Sequence, residues 1–351
     1  MAPLNSVSAN KNRQAMSDTQ GGEPTGGDAG KPMIGIYDFS YAPYALGDAL
    51  TWTMNLNVLA SAAGCDAIDQ YLVIDPIWPG SRYQPFVNPH NYVTIIDNMF
   101  PAFLCSPLLR SLKIIRHPPS FNLFLLREVV RGRPMWPSFF SHLRRKLDFI
   151  SHRQINAHYH QHGQLPWLSA PRGYGAWADV FRRTHCDGHF VVAVNIRQGA
   201  LSLRPANLDR DSPLPEWHAF IRRAVARHTD VLFLILGGYT EWDREMVRLP
   251  NVLIPRAMGF GLGHELALLQ RADLFMGSSS GFATMATFCD KPYLITNIQH
   301  LFAEYIDIPV GTRHYPFGNE NQILYWEKEN QDVLLEFFED IHGRLRARSA
   351  G

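Results

Sequence analysis

From residue 33 onward, short apolar runs alternate with longer segments of helical spacing. The run at residues 33–37, MIGIY, reads as a buried strand. The segment "DALTWTMNLNVLASAAG" then carries Leu50, Met54, Val58 and Leu59 at helical intervals, and Gly64 closes it. "QYLVIDP" supplies the next strand, so a strand, helix, strand unit forms whose parallel pairing takes a right-handed crossover. The pattern restarts at "HFVVAVNIRQ", with the dimensions of a central parallel strand. It continues through the helical "PEWHAFIRRAVARH", the strands "DVLFLILGG" and "NVLIP", the helix "GHELALLQRA" and the strand-loop-helix stretch "DLFMGSSSGFATMATFCDKPYLITN". This alternation predicts an α/β protein of two doubly wound halves.

Four segments follow: a disordered polar tail at 1–32, an N-terminal Rossmann-like domain at 33–180, a second Rossmann-like domain at 181–325, and a C-terminal helix at 326–351 that packs back across the first domain. The length of 351 residues and 46% hydrophobic content suit two globular domains. Thirty-three Lys and Arg against 32 Asp and Glu leave a net charge of +1, so nothing global argues for nucleic acid. Charge is instead local: residues 110–153 hold ten Lys and Arg against Glu128 and Asp148, interleaved with Leu, Phe, Trp and Pro. Such a segment is either a solvated helix face or a peripheral contact with a membrane or lipid-linked substrate. The tail lacks the apolar stretch of a secretory signal, and residues 99–109 are too short and too rich in proline to span a bilayer. The widely spaced Cys65, Cys105, Cys186 and Cys289 form no C-x-x-C pair, which fits a reducing cytoplasm.

Ligands of parallel sheets bind beyond the carboxyl ends of the strands, so the loops there hold the candidate chemistry. "GSSSGFAT" presents Ser278, Ser279, Ser280, Gly281 and Thr284 between a strand and a helix start, where hydroxyls, backbone N–H groups and the helix dipole favour a diphosphate. "NIRQGALSLRP" sets Arg197 just past a strand and Arg204 in the next loop, and guanidinium groups bind phosphate bidentately. Glu265 begins the helix after "GFGLG", either facing a donor ribose or base or complementing its own helix dipole. Asp48, after Gly47 in "YALGDALTWT", either caps a helix starting near Ala49 or serves as a general base. The phosphate-loop and dinucleotide fingerprints are absent, as is the G-x-S-x-G elbow. His158, His160 and His162 have strand spacing but no neighbouring acid or Cys, and "DRD" at 209–211 reads as a solvated loop, so no metal site is expected.

"LGDALTWTMNLNVLA" resembles the N-terminal glycine-aspartate turn of the bacterial heptosyltransferases, which transfer heptose from ADP-heptose to the lipopolysaccharide core. The order and spacing of the segments from Phe190 to Asn297 are similar to that family's donor domain. Ser279, Phe282 and Thr284 stand where the family has Asp, Pro and His. Arg197 also looks like the strand-end Arg of GT-B fucosyltransferases. The resemblance implies a GT-B fold, two Rossmann-like domains facing a central cleft. It also implies a metal-independent transferase without a cofactor that moves a sugar from a nucleotide sugar to a glycan or lipid-linked hydroxyl. Asp48 would be the base, with Gly47 on the acceptor side. A non-catalytic GT-B-like binder of nucleotides or glycans, or a nucleotide-sugar epimerase, is the alternative.

Overall fold

The computed structural model describes residues 32–75, 77, 79, 86–145, 150–198 and 210–350. The expected tail therefore lies outside the described residues apart from Pro32, as does Arg204. Strand β1 (Met33–Asp38), helix α1 (Leu46–Ala62) and strand β2 (Ile68–Val73) form the first crossover unit. Two short helices, α2 (Tyr92–Asp97) and α3 (Phe100–Phe103), lead to β3 (Leu109–Ile115). Then come α4 (Pro118–Val130), β4 (Met135–Trp136) and α5 (Phe139–Leu143). These strands make a parallel sheet in the order β3-β2-β1-β4.

Its two faces bury different sets of residues, because successive side chains of a strand point to opposite sides. Met33 and Tyr37 face the large core with Trp52 and Leu56 of α1, whereas Ile34 and Ile36 join Tyr71, Val73 and Phe121 and Leu125 of α4. Helix α1 buries more than the apolar positions that mark it: eleven of its residues are buried, including Thr51, Thr53, Asn55 and Asn57. The polar ones bond locally or to the chain packed on them: Asn55 Nδ2 donates to the Thr51 and Ser151 carbonyls, and Asn57 Oδ1 accepts from Ser106 Oγ at 2.5 Å.

Two helices, α6 (Arg153–His162) and α7 (Arg172–His185), precede the second sheet. His158 and His162 are helical, not strand, residues; their rings touch at 4.3 Å. Between these helices the chain is tied to both sides, Leu168 N donating to the Phe288 carbonyl and Ser169 N to that of Cys105. Helix α7 belongs with the second sheet through Arg182, which clasps both oxygens of Asp273 at 2.8 and 2.9 Å. A division between residues 180 and 181 falls inside α7.

The second sheet comprises β5 (Phe190–Asn195), β6 (Val231–Ile235) after α8 (Leu214–Arg227), and β7 (Val252–Leu253). Helix α9 (Leu262–Arg271) leads to β8 (Leu274–Ser278), α10 (Gly281–Phe288) to β9 (Tyr293–Thr296), and α11 (Ala303–Ile306) to β10 (Gln322–Leu324). All pairs are parallel, in the order β10-β9-β8-β5-β6-β7. The C-terminal helix α12 (Gln331–Ala350) packs Leu334, Phe338 and Ile341 into the core of this sheet with Trp217 and Phe220 of α8. That apolar contact holds it on the second half rather than across the first.

Candidate functional site

The starts of α1 and α10 meet where loops leave the carboxyl ends of β1 and β8, and beside them opens a cleft of about 920 Å³. It is lined by Gly47 and Asp48 from the first half and by Arg197, Arg210, Glu241, Arg256, Ser279, Ser280, Gly281, Thr284 and Tyr305 from the second. This is where the strand-end rule puts ligands of parallel sheets.

Asp48 does not cap its helix. Helix α1 starts at Leu46 with Ala45 as its cap, which places Asp48 in the first turn, where a carboxylate complements the helix dipole. Tyr305 Oη lies 3.2 Å from both Asp48 Oδ1 and Thr51 Oγ1 and donates to the carboxylate. Burial and the Asp48 charge raise the Tyr305 hydroxyl well above its ordinary pKa, so it stays a donor. Its position is fixed from α6: His152 N donates to the Tyr305 carbonyl, and Asn156 Nδ2 donates to the carbonyls of Ile306 and Asp307. His152 itself is packed among Phe288, Tyr305 and Tyr315, and burial lowers its pKa to about 3, so the ring is neutral.

The serine loop divides by residue. Ser278 ends β8 at 1% exposure and does not line the cleft, so it is removed from the candidate binding set. Ser279 lines the cleft and its N donates to the Thr296 carbonyl, while Ser280 caps α10 by accepting from Ala283 N at 3.3 Å. Thr284 Oγ1 donates back to the Ser280 carbonyl. Gly281 also has a steric role at the junction of the two helices. A Cβ there would lie 2.7 Å from Leu46 Cβ and Cγ, so the glycine lets α10 close on α1. Gly47 faces it, with Thr284 Oγ1 3.2 Å and Gly281 Cα 3.6 Å from a built Cβ.

Arg197 lines the cleft and pairs with Asp211 at 2.9 Å; the neighbouring backbone is zipped as Ser212 N donates to the Arg197 carbonyl. Arg210 was hidden in the "DRD" loop. Its Nη2 donates to the Ser279 carbonyl at 3.0 Å and its guanidinium lies 4.6 Å from the Phe302 ring centre. Glu265 is not a cleft residue: it is 0% exposed, with Oε1 accepting from Gly237 N at 3.0 Å and Oε2 paired to Arg256. The group that it presents to the cleft is therefore the Arg256 guanidinium.

Glu241 escaped the sequence reading although it follows β6, at the same end of the sheet. Its Oε2 accepts from Gly238 N at 2.9 Å and lies 3.4 Å from Asn195 Nδ2. Burial first, and then the Glu265 charge, push this carboxyl up to about 7. Gly237 makes room for it with φ +127°, and any Cβ there would collide with Glu241 Oε2. Among the described residues, no three His, Cys, Asp or Glu side chains gather as a metal site.

No family model matches the chain, and no curated protein matches it in sequence. Solved structures do. A glycosyl transferase family 9 protein from Veillonella parvula matches with a TM-score of 0.55 and 13% identity over 90% of this chain and 98% of its own. The ADP-heptose lipopolysaccharide heptosyltransferase II of E. coli matches with a TM-score of 0.50 and 10% identity over 91% and 100%. The NodZ α-1,6-fucosyltransferase matches over 75% of this chain and 94% of its own at 17% identity, but its TM-score of 0.36 carries no weight. The fold is GT-B, two Rossmann-like α/β halves facing a central cleft, in agreement with the sequence.

Proposed function

We propose that the chain is a glycosyltransferase that moves a sugar from a nucleoside-diphosphate donor to a hydroxyl of a glycan or lipid-linked acceptor. The observation that carries this reading is the meeting, in one cleft, of the Asp48 carboxylate from one half with Arg197, Arg210 and the start of α10 from the other. The first N–H groups of a helix have no intrahelical partner and point at an anion, so Gly281 and Phe282 suit the diphosphate beside the two guanidinium groups. The Ser279 hydroxyl and Glu241 suit the hydroxyls of the donor.

In the reaction the acceptor oxygen attacks the anomeric carbon and forms the glycosidic bond while the bond to the phosphate oxygen breaks, its electron pair leaving with the nucleoside diphosphate. Asp48 takes the acceptor proton, and the Tyr305 hydroxyl holds the carboxylate toward the cleft. Arg197, Arg210 and the α10 dipole stabilise the departing charge, so the reading assigns no step to a metal ion or cofactor. The four cysteines, all free and buried, suit work in the cytoplasm.

Calorimetric titration with a panel of nucleoside diphosphates, followed by nucleotide release from the matching nucleotide sugars, tests the assignment. One nucleoside diphosphate is expected to bind, and Arg197→Ala and Arg210→Ala should each weaken it at least about tenfold, roughly 1.4 kcal/mol. Binding without release under any acceptor condition identifies a non-catalytic binder. Conversion of the sugar with the nucleotide retained identifies an epimerase. Unchanged affinity in both variants moves the donor site elsewhere, and absence of nucleotide binding overturns the assignment.

A further inference from the structure

We infer that the outer face of α4 and the adjoining α5 form a docking surface for an anionic lipid bilayer. Helix α4 covers the face of the first sheet opposite α1, burying Phe121 and Leu125 and turning the other side of the helix to solvent. That outer side is apolar where a solvated helix is polar: Leu123 is 71% exposed and Val130 81%, with Leu126 between them. Spacings of three, four and seven residues put all three, together with Arg127, on one stripe. Helix α5 lies alongside, its His142 Nε2 3.1 Å from Asn122 Oδ1, and adds Phe140 at 68% exposure and the exposed Leu143.

The exposed charge that this segment itself carries has one sign. Arg116, Arg127 and Arg144 are exposed and make no ion pair among the described residues. Between residues 110 and 145 the only acid is Glu128. It is buried and engaged by Arg131 and Arg133, so no carboxylate of this segment faces outward. A second copy of the chain, joined across a two-fold axis, would bring these cations against one another. An anionic lipid surface satisfies both halves of the pattern: leucine, valine and phenylalanine side chains enter the acyl boundary while the guanidinium groups stay at the phosphates. Among the described residues no helix is long and apolar enough to cross a membrane, so the attachment is to one face of the bilayer.

The inference does not depend on glycosyl transfer, and nucleotide titration of the vesicle-free protein reads that function separately. The full chain is sedimented with vesicles of phosphatidylcholine alone or mixed with phosphatidylglycerol, over rising salt. Retention is expected on the anionic vesicles only, weakening as salt screens the arginines. The double variant Leu123→Ser, Val130→Ser and the single variant Arg127→Glu should each lower the partition at least fivefold with unchanged melting, since these side chains are exposed. No retention at low salt, or both variants retained like the parent, overturns the inference. A parent dimer in sedimentation velocity that the double variant turns into a monomer also overturns it, and assigns the stripe to a second copy.

Discussion

Asp48 meets its partner from 257 positions away in the chain, and that partner sets its behaviour. A base contributes about 10²- to 10⁴-fold to rate and little to donor affinity. Asp48→Asn is therefore expected to lose transfer on that scale while titrating nucleoside diphosphate like the parent. Tyr305→Phe removes one donor to the carboxylate and so raises the carboxylate's proton affinity. The acid limb of its pH–rate profile should move to higher pH, with a smaller loss at the optimum than in Asp48→Asn. An unmoved acid limb would assign Tyr305 to packing alone.

Glu241 makes a separate prediction at the same scale. Its carboxyl titrates at about 7 in the fold against an ordinary 4.5, because it is buried and lies near Glu265. The folded state holds this proton more tightly than the unfolded state, so the stabilising contribution is complete below about pH 4.5 and is lost as pH rises through about 7. Glu241→Gln carries no charge at any pH. It should match the parent in melting at pH 4.5 and exceed it at pH 8, by at most on the order of 3 kcal/mol. Equal melting at both pH values would show that the carboxyl ionises without cost.

At the scale of elements, α1 and α10 meet at their first turns because Gly47 and Gly281 face one another without side chains. Gly281→Val forces a branched side chain onto Leu46, and overpacking of this kind costs about 1–3 kcal/mol. The expected result is a lower melting temperature, with part of the loss recovered when Leu46→Ala is added. A fall in nucleotide affinity with unchanged melting would instead show that the glycine serves the phosphate approach and not the closure of α10 on α1.

For the whole molecule, the two sheets are joined by α1 against α10 and by a connecting segment hydrogen-bonded to Phe288 and Cys105. A nucleoside diphosphate held by the second half binds the folded state only, and where the halves unfold as one unit across such a junction it stabilises both together. Saturation with the bound nucleoside diphosphate at a hundred times its Kd should raise stability by about 2.7 kcal/mol and move a single calorimetric transition upward. Two transitions, of which only one moves, would show that the halves unfold independently.

The sequence by itself determined the elements. Side chains repeat every two residues along a strand and every 3.6 around a helix, so β1, β2, β5, β6, β8 and the helices between them are legible as periods, and their alternation fixes a parallel α/β fold. The strand-end rule also put Arg197, Ser279 and Ser280 in the cleft, and extended to β6 it reaches Glu241. Tertiary structure alone decided which polar groups became a site. Local period cannot distinguish Ser278, buried at the end of a strand, from Ser279 beside it, nor show that Glu265 turns inward to hold Arg256. Nor does any spacing encode Arg210 on the Ser279 carbonyl or Tyr305 on Asp48, which are brought together across 69 and 257 positions. The first pair exists because β5 and β8, distant in the chain, lie side by side in one sheet; the second exists because two independently patterned sheets close on each other at two glycines, and that geometry depends on packing between distant surfaces rather than on the sequence near either residue.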